Sequence, residues 1–182
     1  MSAQIRAAVL TVSDRCSRGQ AIDTSGPSLC AMLRDKLAAE IAATGCVADD
    51  PDAIAAWFVE HSRPEHRVDL IVSTGGTGLA PRDNTPEAAK RVFEREHSGL
   101  MELARLRCYA KTPRTFLSRG VAGTIGRTLI LTLPGSPRGA TENLEALVDI
   151  LPHAVETIRG EVQDDGRPNA TPATGKVVRH ND

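Results

Sequence analysis

The chain has 182 residues, and its 22 Lys and Arg against 23 Asp and Glu give a formal net charge of −1. This length suits one α/β domain, and the charge balance excludes a chain driven onto nucleic acid or an anionic membrane. Apolar runs fall far short of the roughly 20 residues that span a bilayer. The N-terminus has no apolar core behind a basic region, which predicts no signal peptide and a cytoplasmic protein.

The first half of the chain alternates between apolar runs and helical patterns. Residues 6–13 predict a buried strand that leads into a polar loop, and residues 40–48 predict a second strand that stops at residues 49–52. Between them, Asp23–Pro27 predicts a helix start with a small polar cap and a proline in the first turn. After the second strand, Asp50 predicts the N-cap of another helix, because a proline follows it directly.

The middle of the chain contains the clearest strand, residues 68–73, which leads into the glycine-rich turn 74–78. Thr85 then predicts a helix cap, and the helical pattern extends to about Arg107 with a break near residues 98–99. The turn matches neither the dinucleotide fingerprint nor the P-loop, because no lysine follows its last glycine. A standard dehydrogenase or P-loop kinase is therefore disfavoured.

The last third predicts a β-hairpin and one long helix. Residues 120–125 and 128–133 are β-prone and flank a Gly-Arg pair, and the Pro-Gly-Ser-Pro turn 134–137 ends the second piece. A helix is predicted from about residue 139 to residue 158. The composition of residues 161–182 is polar and rich in Gly and Pro, which predicts a disordered tail.

Strands that alternate with helices predict a three-layer α/β/α fold with a mostly parallel sheet over residues 1–160. Ligands of such sheets bind at the carboxyl ends of the strands. The residues at three predicted strand ends are small, hydroxyl-bearing or charged: Ser13, Asp14 and Arg15; Asp49 and Asp50; and Gly75, Gly76, Thr77, Gly78, Arg82 and Asp83. Glycine backbones approach phosphates closely and carboxylates bind Mg²⁺, so this edge predicts a phosphate-plus-metal site.

The four cysteines form no Cys-x-x-Cys pair, so we expect reduced thiols rather than a zinc site.

The segment Asp69–Ala88 resembles the signature of the MogA/MoaB family of molybdenum-cofactor biosynthesis proteins. Further matches follow in the family's order at Thr11–Asp14, Val47–Asp50, Leu117–Arg119 and Leu133–Pro137. The resemblance covers almost the whole predicted domain and implies the molybdopterin-binding-type fold and a homotrimer. Active members transfer AMP from MgATP to the terminal phosphate of molybdopterin and release pyrophosphate. The resemblance therefore implies ATP and molybdopterin as substrates, Mg²⁺ as cofactor, and molybdopterin synthase and the molybdenum insertase as candidate partners.

The resemblance also implies a role for each matching residue. Asp49 and Asp83 are expected to bind Mg²⁺ and to be the catalytic residues. The expected substrate-binding residues are Gly75, Gly76, Thr77, Gly78 and Arg82 around the phosphates, Ser13 and Asp14 on the nucleotide side, Ser118 and Arg119 at the pterin phosphate, and Pro134, Gly135 and Ser136 along one wall. Ala48 and Asn84 depart from the family's pattern, and neither change removes one of these functional groups.

Each of these interpretations has a structural alternative. Asp14 is a common turn residue, Asp50 and Asp83 could serve as helix caps, and Arg82 could be a solvated neighbour. The alternative function is a MoaB-like accessory protein that binds molybdopterin or a nucleotide without turning it over. Retention of both Asp49 and Asp83 favours the enzyme.

Overall fold

A six-stranded sheet forms the centre of the computed structural model, which describes residues 3–161. The strands are β1 (Arg6–Val12), β2 (Glu40–Val47), β3 (Leu70–Thr74), β4 (Arg95–Glu96), β5 (Ala122–Ile125) and β6 (Thr128–Leu133). They lie in the order β2-β1-β3-β6-β5-β4. The first four strands in that order are parallel, and β5 and β4 are added in antiparallel pairings. The prediction of a mostly parallel sheet is confirmed.

Helices cover both faces of this sheet. They are α1 (Asp14–Ser17), α2 (Ser25–Leu37), α3 (Pro51–His61), α4 (Thr85–Lys90), α5 (Ser98–Tyr109), α6 (Pro137–Glu145) and α7 (Leu151–Arg159), with short 3₁₀-helices at Pro64–His66 and Pro113–Leu117. Helices α2, α5, α6 and α7 share one core with the sheet, and α3 and α4 share the other. Successive strand residues point to opposite faces, so Val9 packs in the first core and Leu10 in the second. No helix within residues 3–161 is long and apolar enough to cross a membrane.

Two predicted helix starts can be compared directly with the structure. Asp50 caps α3, because its carboxylate accepts hydrogen bonds from the backbone N–H groups of Asp52 and Ala53 at 2.9 and 2.8 Å. Helix α4 begins at Thr85, but Asn84 occupies the cap position and no side chain caps this helix. The prediction for Asp50 is therefore confirmed, and the prediction of Thr85 as a cap is wrong.

The structure also corrects three predicted elements. The helical stretch predicted to about Arg107 is interrupted earlier than predicted, because α4 ends at Lys90 and β4 intervenes and pairs with β5, and it resumes as α5 from Ser98 to Tyr109. The final helix is two helices, and α7 begins where Pro152 occupies a first-turn position that tolerates the missing N–H. The polar stretch after β1 forms the short helix α1, where a loop was predicted. The predicted tail lies outside the described residues from residue 162 onward.

Candidate active site

Two clefts adjoin at the carboxyl edge of the sheet. The acidic cleft, about 320 Å³ in volume, is lined by Ser13, Asp49, Gly75, Gly76, Arg82 and Asp83 among the predicted site residues. The hydroxyl-lined cleft, about 310 Å³ in volume, is lined by Thr77, Gly78, Ser118, Pro134 and Ser136 from the same set. Gly135 lines both clefts. The fold thus brings the predicted residues together, except for Asp14 and Arg119, which line neither cleft.

Asp49 and Asp14 hold the ends of β2 and β1 together. The Asp14 backbone N–H donates to Asp49 Oδ2 at 2.9 Å, and the Asp49 N–H donates back to Asp14 Oδ1 at 3.3 Å. Asp14 also forms an ion pair with Arg18 at 3.5 Å. These contacts occupy one oxygen of Asp49 and leave its Oδ1 without a hydrogen bond to any residue in the described part of the chain. Asp14 therefore positions Asp49 from outside the acidic cleft.

The glycine-rich turn after β3 is fixed by close backbone packing. Gly75 has a φ of +106°, and a methyl group there would overlap the carbonyl oxygen of Val12. A methyl group on Gly135 would lie 3.1 Å from the Gly75 Cα, so the two turns pack backbone against backbone. The Gly75 N–H donates to Leu133 O at 3.2 Å, which continues the sheet. The N–H groups of residues 76–78 have no hydrogen-bond acceptor among residues 3–161.

Asp83 lies on the loop that leads from this turn to α4. Its Oδ2 accepts a hydrogen bond from the Ala80 N–H at 2.9 Å. A methyl group on Gly78 would lie 2.7 Å from the same oxygen, so the loop folds back against the turn. Asp83 does not cap α4, because the structure shows no side-chain cap there. Its carboxylate instead stabilises its own loop and lines the acidic cleft.

Arg119 holds the loop that carries Asp83 in place through hydrogen bonds to its backbone. Its Nε donates to Gly78 O at 2.8 Å, and its terminal nitrogens donate to Asp83 O and to the Glu87 carboxylate. Burial acts to raise the pKa of Glu87, but the hydrogen bond and charge of Arg119 outweigh it, and the pKa lies below its ordinary value. The Arg119 guanidinium is therefore engaged within the chain and holds the segment that carries Asp83.

Ser118 is held between the two turns and α5. Its hydroxyl lies 3.3 Å from Thr77 Oγ1, and its carbonyl accepts a hydrogen bond from Arg105 at 3.2 Å. Arg105 also donates to Gly120 O at 2.6 Å, and burial lowers its pKa. Cys108 lines the same cleft, and burial raises the pKa of its thiol, so the thiolate is disfavoured at neutral pH.

The remaining predicted residues form walls through local hydrogen bonds. Pro134 O accepts from Thr74 Oγ1 at 2.7 Å, and Gly135 O accepts from Ser25 Oγ at 2.8 Å. Ser136 caps α6 by accepting from the Gly139 N–H at 3.1 Å, and Ser13 caps α1. The backbone groups of the two turns thus have fixed positions before any ligand binds.

Arg15, which the sequence placed at this edge without a role, lines the acidic cleft. Sequence reasoning missed three other residues as site residues: Arg114 and Thr115, which line the hydroxyl-lined cleft, and Thr85. Thr85 is fully buried, its hydroxyl has no hydrogen-bond partner in the part of the chain that the structure describes, and it packs against Gly76. The sequence signal for Thr115 is weak. The Thr-Pro-Arg-Thr motif at residues 112–115 predicts a turn, but it does not predict which way the side chains of that turn point.

Comparison with known proteins identifies the family. Residues 8–153 match the sequence profile described as a probable molybdopterin binding domain. The chain belongs to this family. Among molybdopterin binding domain proteins, the molybdopterin adenylyltransferase of Helicobacter pylori is 37% identical over 166 residues, which are 91% of this chain and 94% of that relative. The structure of the molybdopterin biosynthesis enzyme MoaB from Thermus thermophilus matches with a TM-score of 0.80 and 47% identity, and the match covers 86% of this chain and 98% of that one.

A longer relative contains the same kind of domain. Gephyrin of Dictyostelium discoideum is 38% identical over 164 residues, which are 84% of this chain but only 22% of gephyrin. The chain therefore spans about a fifth of that relative. Together the matches confirm the predicted resemblance to the family of molybdenum-cofactor biosynthesis proteins.

Proposed function

We propose that the protein is a molybdopterin adenylyltransferase that transfers AMP from MgATP to the terminal phosphate of molybdopterin. The observation that carries this proposal is the pair of adjoining clefts that meet at Gly135. A transfer between two phosphorylated substrates requires two neighbouring sites that align the reacting groups. The likeness to the Helicobacter pylori enzyme over nearly the full length of both chains supports the same activity.

The acidic cleft takes the nucleotide in this proposal. The N–H groups of Gly76, Thr77 and Gly78 have no acceptor among the described residues. Gly76 lines the acidic cleft, so its N–H is available to a triphosphate oxygen, and Thr77 and Gly78 offer theirs at the adjoining cleft. Arg82 and Arg15 line the same cleft and form no ion pair with residues 3–161, so both can neutralise phosphate charge. Ser13 contributes the wall at the end of β1.

The residues of the acidic cleft also fit a magnesium ion. Mg²⁺ is commonly held by one or two carboxylates together with substrate phosphates and water. Residues 3–161 contain no group of three or more His, Cys, Asp or Glu side chains that could hold a metal, so the phosphates must supply part of the shell. Asp49 and Asp83 would hold the ion, and both Asp49 Oδ1 and the unpartnered hydroxyl of Thr85 lie within 3.4 Å of where a methyl group on Gly76 would be. Bound Mg²⁺ would supply charge stabilisation for the triphosphate.

The hydroxyl-lined cleft takes molybdopterin, and its terminal phosphate lies toward Gly135. A phosphate oxygen of molybdopterin forms a new bond to the α-phosphorus of ATP, and the bond to the β-phosphate oxygen breaks. Pyrophosphate leaves, and AMP remains attached to the pterin. The chain aligns the two substrates and needs no covalent nucleophile, because nucleotidyl transfer depends on positioning and charge stabilisation.

Ser118 and the 134–136 wall contact the pterin side in this scheme. Ser118 lines the cleft, and its hydroxyl lies near that of Thr77, which lines the same cleft, so this hydroxyl pair adjoins molybdopterin. Asp14 and Arg119 act as positioning residues, because their side chains bind Asp49 and the Asp83 loop. This differs from the direct phosphate contact that the family resemblance implied for Arg119.

The test is an anaerobic assay of adenylylated molybdopterin and pyrophosphate with purified protein, ATP, MgCl₂ and molybdopterin. We expect Asp49→Asn and Asp83→Asn to lower kcat by about 100-fold or more, because each removes a charge near the triphosphate. Asp50→Asn is the matched control, since Asp50 lies outside the acidic cleft and asparagine also caps helices well. Wild-type protein that binds molybdopterin but forms no product would contradict the proposal and support the accessory-protein alternative.

Three further expectations belong to the same proposal and stay predictions. They are a homotrimer, a cytoplasmic location, and contacts with molybdopterin synthase and the molybdenum insertase. Each follows from the family resemblance. Sedimentation equilibrium of the purified chain tests the first, and a monomer at micromolar concentration would contradict it.

A further inference from the structure

Arg114 lines the hydroxyl-lined cleft, and two further arginines, Arg105 and Arg119, lie behind its wall and donate to the carbonyls of Ser118 and Gly78, which line it. Arg119 donates to Gly78, Asp83 and Glu87, as described above. Arg105 donates to the carbonyls of Ser118 and Gly120. Neither guanidinium is available to a ligand without breaking hydrogen bonds that hold the site together. Any positive charge offered to a ligand in this cleft must come from another residue.

Arg114 is the third arginine and has a different environment. It lies on the 3₁₀-helix Pro113–Leu117, lines the cleft, and is exposed. Its backbone N–H donates to Thr112 Oγ1 at 3.3 Å, which fixes the start of this turn. Its guanidinium forms no ion pair or hydrogen bond with the residues from 3 to 161. The cleft therefore has one available cationic side chain, and a short helical turn fixes its backbone.

Thr115, the next residue, provides an independent observation. Only 6% of Thr115 is exposed, and its hydroxyl has no hydrogen-bond partner among the described residues. A buried hydroxyl without a partner is unfavourable, and such groups normally bind protein, water or ligand atoms. Thr115 lines the same cleft as Arg114. A polar ligand atom in the cleft would satisfy this hydroxyl.

We propose that Arg114 and Thr115 are specificity residues that bind the anionic pterin substrate in the hydroxyl-lined cleft. Arg114 supplies the positive charge and Thr115 a hydrogen bond, whereas Arg119 shapes the neighbouring loop. The identity of the ligand rests on the proposed function. The acidic cleft contains neither residue, so their loss affects the pterin substrate and spares ATP.

The experiment compares the Michaelis constants for molybdopterin and ATP across paired variants of the full chain. We expect Arg114→Ala to raise KM for molybdopterin about tenfold, because a charge-assisted hydrogen bond is lost. Arg114→Lys keeps the positive charge, so its KM for molybdopterin should be much closer to the wild-type value. Thr115→Val should raise the same constant about threefold, and Thr115→Ser, which keeps the hydroxyl, should stay near wild type. KM for ATP and kcat should change less than about twofold in every variant, since no contact to the nucleotide is removed.

Controls separate binding from folding. Arg34→Ala removes an exposed arginine from α2, outside both clefts, and should leave both Michaelis constants unchanged. Thr115→Val should be no less stable than wild type in urea, because an unpaired buried hydroxyl is replaced by a methyl group of similar size. A marked loss of stability, with unchanged pterin affinity in the folded fraction, would overturn the role of Thr115.

Equilibrium binding of molybdopterin, followed anaerobically by pterin fluorescence, distinguishes this inference from the proposed function. Weaker binding to Arg114→Ala supports the inference even if the wild-type protein forms no adenylylated product. Normal turnover by wild type, with equal molybdopterin affinity in Arg114→Ala and Thr115→Val, would overturn the inference and leave the proposed function standing. A rise in KM for ATP alone would also overturn it.

Discussion

Gly76 offers a sharp test of how the glycine-rich turn is built. Its φ is +63°, and a methyl group there would overlap the buried hydroxyl of Thr85 and lie 3.4 Å from Asp49 Oδ1. For Gly76→Ala, the left-handed backbone costs about 1–2 kcal/mol. Overlap with a buried neighbour adds about 1–3 kcal/mol. We therefore expect the free energy of unfolding to fall by about 2–5 kcal/mol, taking the two contributions together.

Gly126→Ala separates these two contributions. Gly126 also has a positive φ, +54°, but no described atom lies within 4 Å of the added methyl group. Its substitution should cost only the backbone contribution of about 1–2 kcal/mol and leave ATP binding unchanged. In the double variant Gly76→Ala/Thr85→Ala the overlap is relieved. Its free energy of unfolding should therefore be about 1–3 kcal/mol higher than that of Gly76→Ala alone.

Urea denaturation and ATP titration measure both effects. Gly76→Ala should weaken ATP binding about tenfold in the folded protein, because the turn that offers its N–H groups to phosphate is displaced. If Gly76→Ala were no more destabilising than Gly126→Ala, Thr85 would not pack against the turn as described. Unchanged ATP affinity would mean that the phosphates bind elsewhere.

Two further predictions concern stability and pH. Arg159 donates two hydrogen bonds to Asp69 at 2.9 and 2.7 Å, and both side chains are largely buried. Arg159→Met should lower the free energy of unfolding by about 3–5 kcal/mol and leave kcat unchanged, and a loss in urea denaturation below about 1 kcal/mol would contradict this. The pKa of Glu87 is lowered in the folded protein, and the ordinary value is 4.5. The pairing of Glu87 with Arg119 therefore stabilises the fold fully at pH values above 4.5. This contribution to the free energy of unfolding is lost as the pH falls through the lowered pKa. Glu87→Gln should remove that part of the acid dependence of unfolding, and an identical pH profile would refute the assignment.

The strand ends and the chemistry they carry could be predicted from the sequence. Continuous apolar runs followed by glycine or small polar residues set β1 and β3 and the turn 74–78, because backbone freedom and burial are local properties. The strand-end pattern placed Asp49 and Asp83 at this edge together with Asp14 and Asp50, and only the family resemblance singled out the first two, which do line one cleft. The short strand β4 was missed, since two residues that pair with a distant strand leave no periodic pattern.

The sequence by itself determined the α/β/α layering and the acidic and glycine residues at the carboxyl edge of the sheet, where we propose that the substrates bind. Those properties follow from neighbours within a few positions in the chain. Only the tertiary structure decided that Arg119 turns inward, to partners 32 to 41 residues away, while Arg114 stays available at the hydroxyl-lined cleft. The direction of a long side chain depends on which distant carbonyls and carboxylates the fold brings within hydrogen-bonding range, and no local pattern encodes that.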